Sequence, residues 1–546
     1  MKKFLAILLA VTMLMALSVS VLADDSAYTI TIINTASGHT YAAYQVFSGT
    51  LSDTGVLSDI QWGDGVDSTA LLNALKADTV FGTGTANIFA AATTAEQAAK
   101  AISGQQNDSV IAKEFAQVVG QHLGTAAGTS TFKDSKYTIP VTGTGYYFIK
   151  DASAVTGSDA ATSYILQVVK SVEVVPKSSV PSVEKKVQEN TKSVDGDTPY
   201  GTGYNDVADY SIGDTVPFEL IGTLPTNYAD YTSYSYVFND TLSAGLSVPS
   251  TLTFTAAAKT GDTVTDVTAS FTSTVTAKTD GTTSIAFACA DLKTIQGLTA
   301  ASTITIKYSA TLNSGAVIGL PGNPNEVTLT YSNNPNKGGE GEKGTTPTDK
   351  VIVFTYELDT TKEDGSTKAA LAGAKFELYK TESTTKDGTA VTATEYAQVK
   401  DGRLTGWTTE ETAATKLVSG SDGLFKVAGL DDGTYYLKET DAPSGYSKLT
   451  SDIKLTISAA TANNQTWSGK PSDALTALTI RVNDGDAVNG DDNHAIVSTT
   501  VLNNAGSTLP STGGIGTTLF YVIGILLMSG AAVLLITKKK MAGRED

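Results

Sequence analysis

The stretch SVEKKVQEN, residues 182–190, reads as a strand with a fault in it. Side chains along a strand point alternately to opposite faces, so Val183, Lys185 and Val187 share one face and Glu184 and Lys186 the other. The valine face belongs in a core, which turns Lys185 inward. NEVTLTY, residues 325–331, has the same kind of fault: Asn325 lies in the row of Val327, Leu329 and Tyr331. In YVFNDTL, residues 236–242, Asp240 lies in the row of Tyr236, Phe238 and Leu242. A buried lysine, amide and carboxylic acid are each unfavourable alone and become tolerable only when they meet.

A second set of three lies further along. VFTYELDTTK, residues 353–362, puts Lys362 on the face of Phe354, Tyr356, Leu358 and Thr360. VSTTVLN, residues 497–503, puts Asn503 with Val497, Thr499 and Val501, and TYYLKE, residues 434–439, puts Glu439 with Tyr435 and Leu437. Two chemistries fit such a group. One is a buried ion pair whose hydrogen bonds are all satisfied, and alternation alone favours it. In the other, burial disfavours the charged forms, leaving a neutral amine and a protonated acid. The amine then attacks the amide carbonyl, the acid polarises it and shuttles protons, and ammonia leaves. The product is a Lys–Asn isopeptide bond between the first and last strands of a domain.

The surrounding sequence sets the compartment. The first 23 residues have a basic start at Lys2 and Lys3, an apolar run and small-residue spacing at Val21 and Ala23. They read as a secretory signal peptide cut after Ala23. The chain has one cysteine, so disulfides do not staple it, and Cys289, alternating with Ile285 and Phe287, is expected to face a core. A net charge of −18 argues against nucleic acid and anionic lipid as partners. Only His39, His122 and His494 are histidines, which leaves almost no material for a His/Cys metal site or a Cys–His catalytic pair. The acidic stretch 483–493 fits no calcium-loop spacing and reads as an exposed loop. No metal or other cofactor is expected.

The length of 546 residues suits about three or four domains. Short alternating runs separated by turn residues make those domains β-rich. Residues 68–122, with TALLNALK and TTAEQAAKAI, carry apolar positions at helical spacing instead. Pro176 and Pro181 interrupt the strand pattern at one seam, and a glycine-rich polar linker at about 332–350 marks another. The expected division is 24–177, 178–346 and 347–508, then a closing segment, 509–546. That segment opens with LPSTGG, residues 509–514. Residues 515–536 behind it are long and apolar enough for a transmembrane helix, with Lys538–Lys540 holding the tail inside.

In this order the motifs resemble those of the major, or shaft, subunits of the sortase-assembled pili of Gram-positive bacteria, over essentially the whole length. HTYAAYQVFSGTLSDTGVLSDIQWG (39–63) is similar to the family's N-terminal domain, and VEKKV, NDTLSAGL and NEVTLTYSNNPN to its middle domain. LAGAKFELYK (371–380) and GTYYLKETDAPSGY (433–446) resemble a Cna B-type domain, the latter being its E-box with Glu439. The resemblance implies three tandem immunoglobulin-like β-sandwiches of Cna A/B type, the first with a helical insertion. It also implies isopeptide bonds in both trios: Lys185 and Asn325 with Asp240, and Lys362 and Asn503 with Glu439.

For the closing segment, the resemblance implies a cell-wall sorting motif, Leu509, Pro510, Thr512 and Gly513. Sortase would cleave between Thr512 and Gly513, with the helix parking the substrate until then. VEVVPK ends in Lys177, similar to the family's pilin motif although Val175 stands where tyrosine is usual. Lys177 is the implied acceptor amine for Thr512 of the next subunit, giving an open head-to-tail filament. The implied partners are pilus-specific and housekeeping sortases, identical subunits, accessory pilins, peptidoglycan and a host or bacterial surface receptor. A monomeric wall-anchored adhesin shares the sorting signal, and the Lys177 motif separates the two readings.

Overall fold

The computed structural model describes residues 27–53, 55–106, 109–153, 157, 159–176, 179–190, 200, 202–335, 342–386, 389–462, 467–506 and 515–543. Ala23, Lys177 and the motif residues Leu509, Pro510, Thr512 and Gly513 lie outside the described residues. What is described is mostly strand, arranged as β-sandwiches in tandem, with one apolar helix at the C-terminal end.

In the N-terminal domain one sheet runs in the order Thr131–Lys133, Lys136–Thr142, Ala27–Ile33, Val172–Val174. The other runs Leu57–Trp62, Tyr41–Leu51, Gly145–Asp151, Ser163–Val168, with Gly128–Thr129 also pairing with Tyr41–Leu51. Ile30, Ile32, Tyr41, Ile139, Tyr147 and Ile149 fill the space between the sheets. The helices Ser68–Ala77, Ala95–Ile102 and Val110–Gln121 occupy the region whose periodicity predicts helix. Asp67, Thr94 and Ser109 cap them, each side chain accepting a backbone N–H from the first turn. The helices cover the outer face of the second sheet, where Val46, Phe47 and Phe148 meet Leu71, Leu75, Phe115 and Val119. That sheet is therefore buried on both faces, which explains the unbroken apolar run at 146–149.

Two sheets also face each other in the middle domain. The first orders Tyr204–Asn205, Val183–Gln188, Thr215–Thr223, Thr303–Leu312, Phe254–Thr260, Thr263–Asp266. The second orders Val207–Asp209, Asp349–Phe354, Asn323–Ser332, Tyr236–Leu242, Thr283–Cys289, Thr272–Ala277. Cys289 is buried among the core residues. Hydrogen bonding carries the middle domain past the expected break at 346, because Asp349–Phe354 pairs antiparallel with Asn323–Ser332.

The strands from Tyr356 onward form one continuous hydrogen-bonded sheet that winds from Val488–Asn489 to Ile496–Asn503 and bridges back on itself at Asp491 and Ile496. Its first strand, Tyr356–Asp364, lies parallel to its last, Ile496–Asn503. The middle and C-terminal domains share one apolar core cluster, whereas the N-terminal domain has two clusters of its own. The N-terminal domain meets the middle one through hydrogen bonds. Gln117 Nε2 donates to the Asp230 carbonyl at 2.6 Å, Ala161 N to the Asn333 carbonyl at 2.7 Å, and Thr345 N to the Gly157 carbonyl at 2.8 Å.

The C-terminal helix spans Ile515–Ala542 and continues through Lys538–Lys540. Its stretch Gly516–Met541 is long and apolar enough to cross a membrane.

Candidate functional site

Strand alternation is what brings the first trio together. Val183–Gln188 lies in one sheet, while Tyr236–Leu242 and Asn323–Ser332 are neighbours in the other, so inward residues of all three strands converge across the sandwich. Lys185, Asp240 and Asn325 are fully or almost fully buried. Lys185 Nζ donates to Asp240 Oδ1 at 2.7 Å, above the Phe218 ring at 5.1 Å. Burial pulls the Lys185 ammonium below the ordinary lysine value, against the opposing pull of the Asp240 charge. Among the described residues Asn325 Oδ1 is buried and has no hydrogen-bond partner, so the amide carbonyl is presented bare.

Two residues at this site are not legible as participants in the sequence. Tyr308 is the central one: its hydroxyl accepts from Asn325 Nδ2 at 2.7 Å and from Lys185 Nζ at 3.4 Å, and donates to Asp240 Oδ2 in a short hydrogen bond. Its only sequence signal is an inward place in TITIKYSATL, on the face of Ile304, Ile306, Ala310 and Leu312. Asp349 is the second, accepting the Lys185 backbone N–H at 2.6 Å. Lys186 departs from its expected place on a solvent face. It is buried, pairing with Asp206 at 2.6 Å beneath the Tyr200 ring, because Tyr200 and Asp206 lie over the outer side of the strand.

The second trio is built differently. Lys362 and Asn503 lie on adjacent parallel strands, and Glu439 comes from Gly433–Asp441 elsewhere in the same wound sheet. All three are buried. Asn503 Nδ2 donates directly to Glu439 Oε1 at 2.9 Å, and the Leu449 backbone N–H holds Oε2 at 2.7 Å. Lys362 Nζ donates to the Val501 carbonyl at 3.2 Å. Burial lowers its pKa, with Glu439 the main opposing charge. Here too the asparagine Oδ1 is buried and, among the described residues, without a hydrogen-bond partner. The expected first-to-last-strand geometry holds in this domain. In the middle domain Asn325 lies on Asn323–Ser332, which Asp349–Phe354 follows in the same sheet.

A third polar group, which sequence reading missed, sits where the middle and C-terminal domains join. Carboxylate oxygens of Asp209, Asp431 and Asp432 lie within 4.8 Å of one another, all buried. Tyr356 donates to Asp209 at 2.7 Å and Asn190 to Asp431 at 2.9 Å, and burial with the Asp209 charge pushes Asp431 well above the carboxylate range. Near the acidic loop, Asp484 pairs with Lys454 at 2.6 Å and Asp491 with His494 at 2.6 Å.

With two buried Lys–Asn–acid trios in tandem sandwiches established, comparison with known families is decisive. Residues 212–335 match the Gram-positive pilin backbone subunit 2, Cna-B-like domain; residues 356–471 match a prealbumin-like fold domain; residues 502–542 match the LPXTG cell wall anchor motif. These are the domains of a Gram-positive backbone pilin. The pilin is 26% identical over 423 residues to the trypsin-resistant surface T6 protein of Streptococcus pyogenes serotype M6, covering 67% of this chain and 70% of that one. Among solved structures it is similar to the T6 backbone pilin of serotype M6 Streptococcus pyogenes. That match has 16% identity, covers 89% of this chain and 100% of the other, and has a TM-score of 0.49. It is also similar to the group B streptococcus pilus 2b backbone protein, at 26% identity over 56% of this chain and 97% of the other, with a TM-score of 0.38. The pilin is a structural pilus subunit, and its closing segment carries the anchor motif of a cell-wall-anchored surface protein.

Proposed function

We propose that the pilin forms the shaft of a covalent pilus in which Thr512 of one subunit is joined by sortase to Lys177 of the next. Within each subunit the middle domain carries a Lys185–Asn325 isopeptide bond and the C-terminal domain a Lys362–Asn503 bond. The observation that carries the internal bonds is the repeated arrangement itself: in both domains a lysine with a lowered pKa, an asparagine with a bare carbonyl and an acid are buried together. The amine lone pair adds to the asparagine Cγ, the acid accepts the proton shed by Nζ and returns one to the departing nitrogen, and one ammonia leaves. Irreversible bonds of this kind suit a filament that is pulled, in a protein with a single, buried cysteine. Lys177 at the end of the first domain and Thr512 just past the third put the acceptor amine and the acyl donor at separate places along the chain.

A pilus-specific sortase would make the Thr512–Lys177 joint, and a housekeeping sortase would transfer the finished fibre to peptidoglycan. Accessory pilins and a host or bacterial surface receptor complete the partners, so that the fibre supports adhesion. Two experiments test this reading. Cell-wall extracts should show a high-mass ladder that resists SDS, and Lys177→Ala should collapse it to monomer. A ladder that persists in Lys177→Ala moves the acceptor elsewhere, and its absence in wild type favours the monomeric adhesin. The middle and C-terminal domains should each weigh one ammonia less than their sequence, and Asp240→Ala and Glu439→Ala should each restore the mass of its own domain. Full sequence mass in wild type would leave both trios as buried ion pairs.

A further inference from the structure

The two trios solve one problem with different parts. In the C-terminal domain the acid touches the amide nitrogen that must leave, Glu439 Oε1 to Asn503 Nδ2 at 2.9 Å. In the middle domain the acid is an aspartate, shorter by one methylene, and the group bonded to the departing nitrogen is the hydroxyl of Tyr308. That hydroxyl also touches the other carboxylate oxygen of Asp240 and lies 3.4 Å from Lys185 Nζ. Every polar partner in the reaction therefore converges on one buried phenol. Its ring is packed between Phe218 and Phe287, with centroids 5.5 Å and 5.4 Å away, which fixes the hydroxyl in place.

We propose that Tyr308 is the proton relay of the middle-domain reaction, carrying the proton from Asp240 to the ammonia that leaves Asn325. The proposal rests on the cross-link reading of the Lys185 trio. Within the Lys185–Asp240 pair a proton passes from the ammonium to the carboxylate, freeing the amine. The amine adds to Asn325 Cγ, and the tetrahedral adduct turns Nδ2 from a planar amide nitrogen into a basic amine. Tyr308 then gives its hydroxyl proton to Nδ2 and takes one from Asp240 Oδ2, while Asp240 Oδ1 receives the proton shed by Nζ. The new C–N bond forms, the old one breaks, and ammonia departs with three hydrogens. Tyrosine ends as it began, and Asp240, which began as the carboxylate, ends as the neutral acid holding the second of the two protons that Nζ sheds. Burial holds the Tyr308 hydroxyl well above its ordinary pKa, so between transfers it stays protonated and ready to donate.

The test uses the full secreted chain, its mass and its tryptic cross-linked peptides followed in time after a pulse of expression. Tyr308→Phe keeps the ring and removes the relay. Formation of the Lys185–Asn325 peptide should slow by roughly 100-fold or more, the usual worth of a positioned acid–base group. The C-terminal bond in the same chain should form at its normal rate. Asp240→Glu combined with Tyr308→Phe should recover much of the lost rate, because the longer acid reaches the amide as Glu439 does. Bond formation in Tyr308→Phe at the wild-type rate would overturn the relay, as would a folded double variant that recovers nothing. If wild type itself loses no ammonia from this domain, the cross-link reading fails first. Should Tyr308→Phe not fold, a fluorinated tyrosine inserted at 308 preserves the packing and alters only the acidity of the hydroxyl. A changed rate supports the relay and an unchanged rate overturns it.

Discussion

The first domain and the two that follow are all sandwiches, yet they are held together by different means. The middle and C-terminal domains share one core, and each buries a lysine, an asparagine and an acid together. In the N-terminal domain the opening strand Ala27–Ile33 carries no lysine, and Val172–Val174 beside it carries no asparagine. That domain relies on two smaller apolar clusters and on hydrogen bonds to its neighbour. Three sandwiches therefore need not have equal strength, and the difference lies in whether three inward positions carry a lysine, an asparagine and an acid.

The largest effect expected from this difference is in proteolysis. Limited digestion should remove the region before about residue 177 first and leave a resistant core of two domains, since local opening is easiest where no covalent tie closes the fold. A digest in which the N-terminal domain outlasts the others would sink the comparison, and so would loss of an ammonia from it.

Removing the acids should bring the strong domains down toward the weak one. Each proposed bond closes a loop of roughly 140 residues, for which the chain-entropy treatment of cross-links gives about 5 kcal/mol. Asp240→Ala should therefore lower the melting temperature of the middle domain, and Glu439→Ala that of the C-terminal domain, by about 10–20 °C. Calorimetry on each variant, with the unaltered domain as reference, checks this. A shift below about 3 °C with full loss of the bond would mean that packing alone carries these domains.

Adjacent lysines sharpen the point. Lys185→Ala should abolish the middle-domain bond, whereas Lys186→Ala should leave it intact while costing about 3 kcal/mol for the stranded Asp206 carboxylate. Tryptic mapping decides between them. Lys186 found joined to Asn325 would mean a slipped register in Val183–Gln188.

These lysines also show where sequence is a sufficient guide. Period-two alternation is a local property, so it places Lys185, Asp240, Asn325, Lys362, Glu439 and Asn503 inward without knowledge of the rest of the chain. It cannot say what covers the other face, and Lys186 is buried because Tyr200 and Asp206 lie over it. Tyr308 was hidden for a related reason. A tyrosine in an apolar row is ordinary until the sheet pairing shows what its hydroxyl meets. The joint acids Asp209, Asp431 and Asp432 come from segments more than 200 residues apart and share no local pattern. The strand Asp349–Phe354 pairs with Asn323–Ser332 across the seam expected at 346, a pairing that local pattern cannot show because linker-like residues run straight into it.

The smallest expected effect belongs to the N-terminal domain alone. His39 is buried between two carboxylates, Nδ1 2.5 Å from Asp151 and Nε2 2.7 Å from Asp159, with Tyr41 stacked on its ring at 5.5 Å and Tyr137 edge-on at 5.9 Å. The hydrogen bonds to Asp151 and then Asp159 raise its pKa from 6.5 to about 9, against the opposing effect of burial. Asp159 is lowered, chiefly by the same hydrogen bond to His39. Its neighbours Gly157 and Ala161 bond to Thr345 and Asn333, so the imidazolium also steadies the contact with the middle domain. A histidine whose folded pKa is raised gives stability that is complete below the unfolded value, near 6.5, and is lost as pH climbs through about 9. Asp159 acts in the other direction, its contribution present above the ordinary carboxylate pKa and lost on acidification. The N-terminal domain should therefore melt highest between about pH 5 and 6.5 and fall by several degrees by pH 9. His39→Gln should flatten the alkaline limb while leaving the two domains that follow unchanged. A wild-type melting temperature that stays level from pH 6 to pH 9 would remove the histidine clasp from the account, leaving the apolar clusters to hold that domain by themselves.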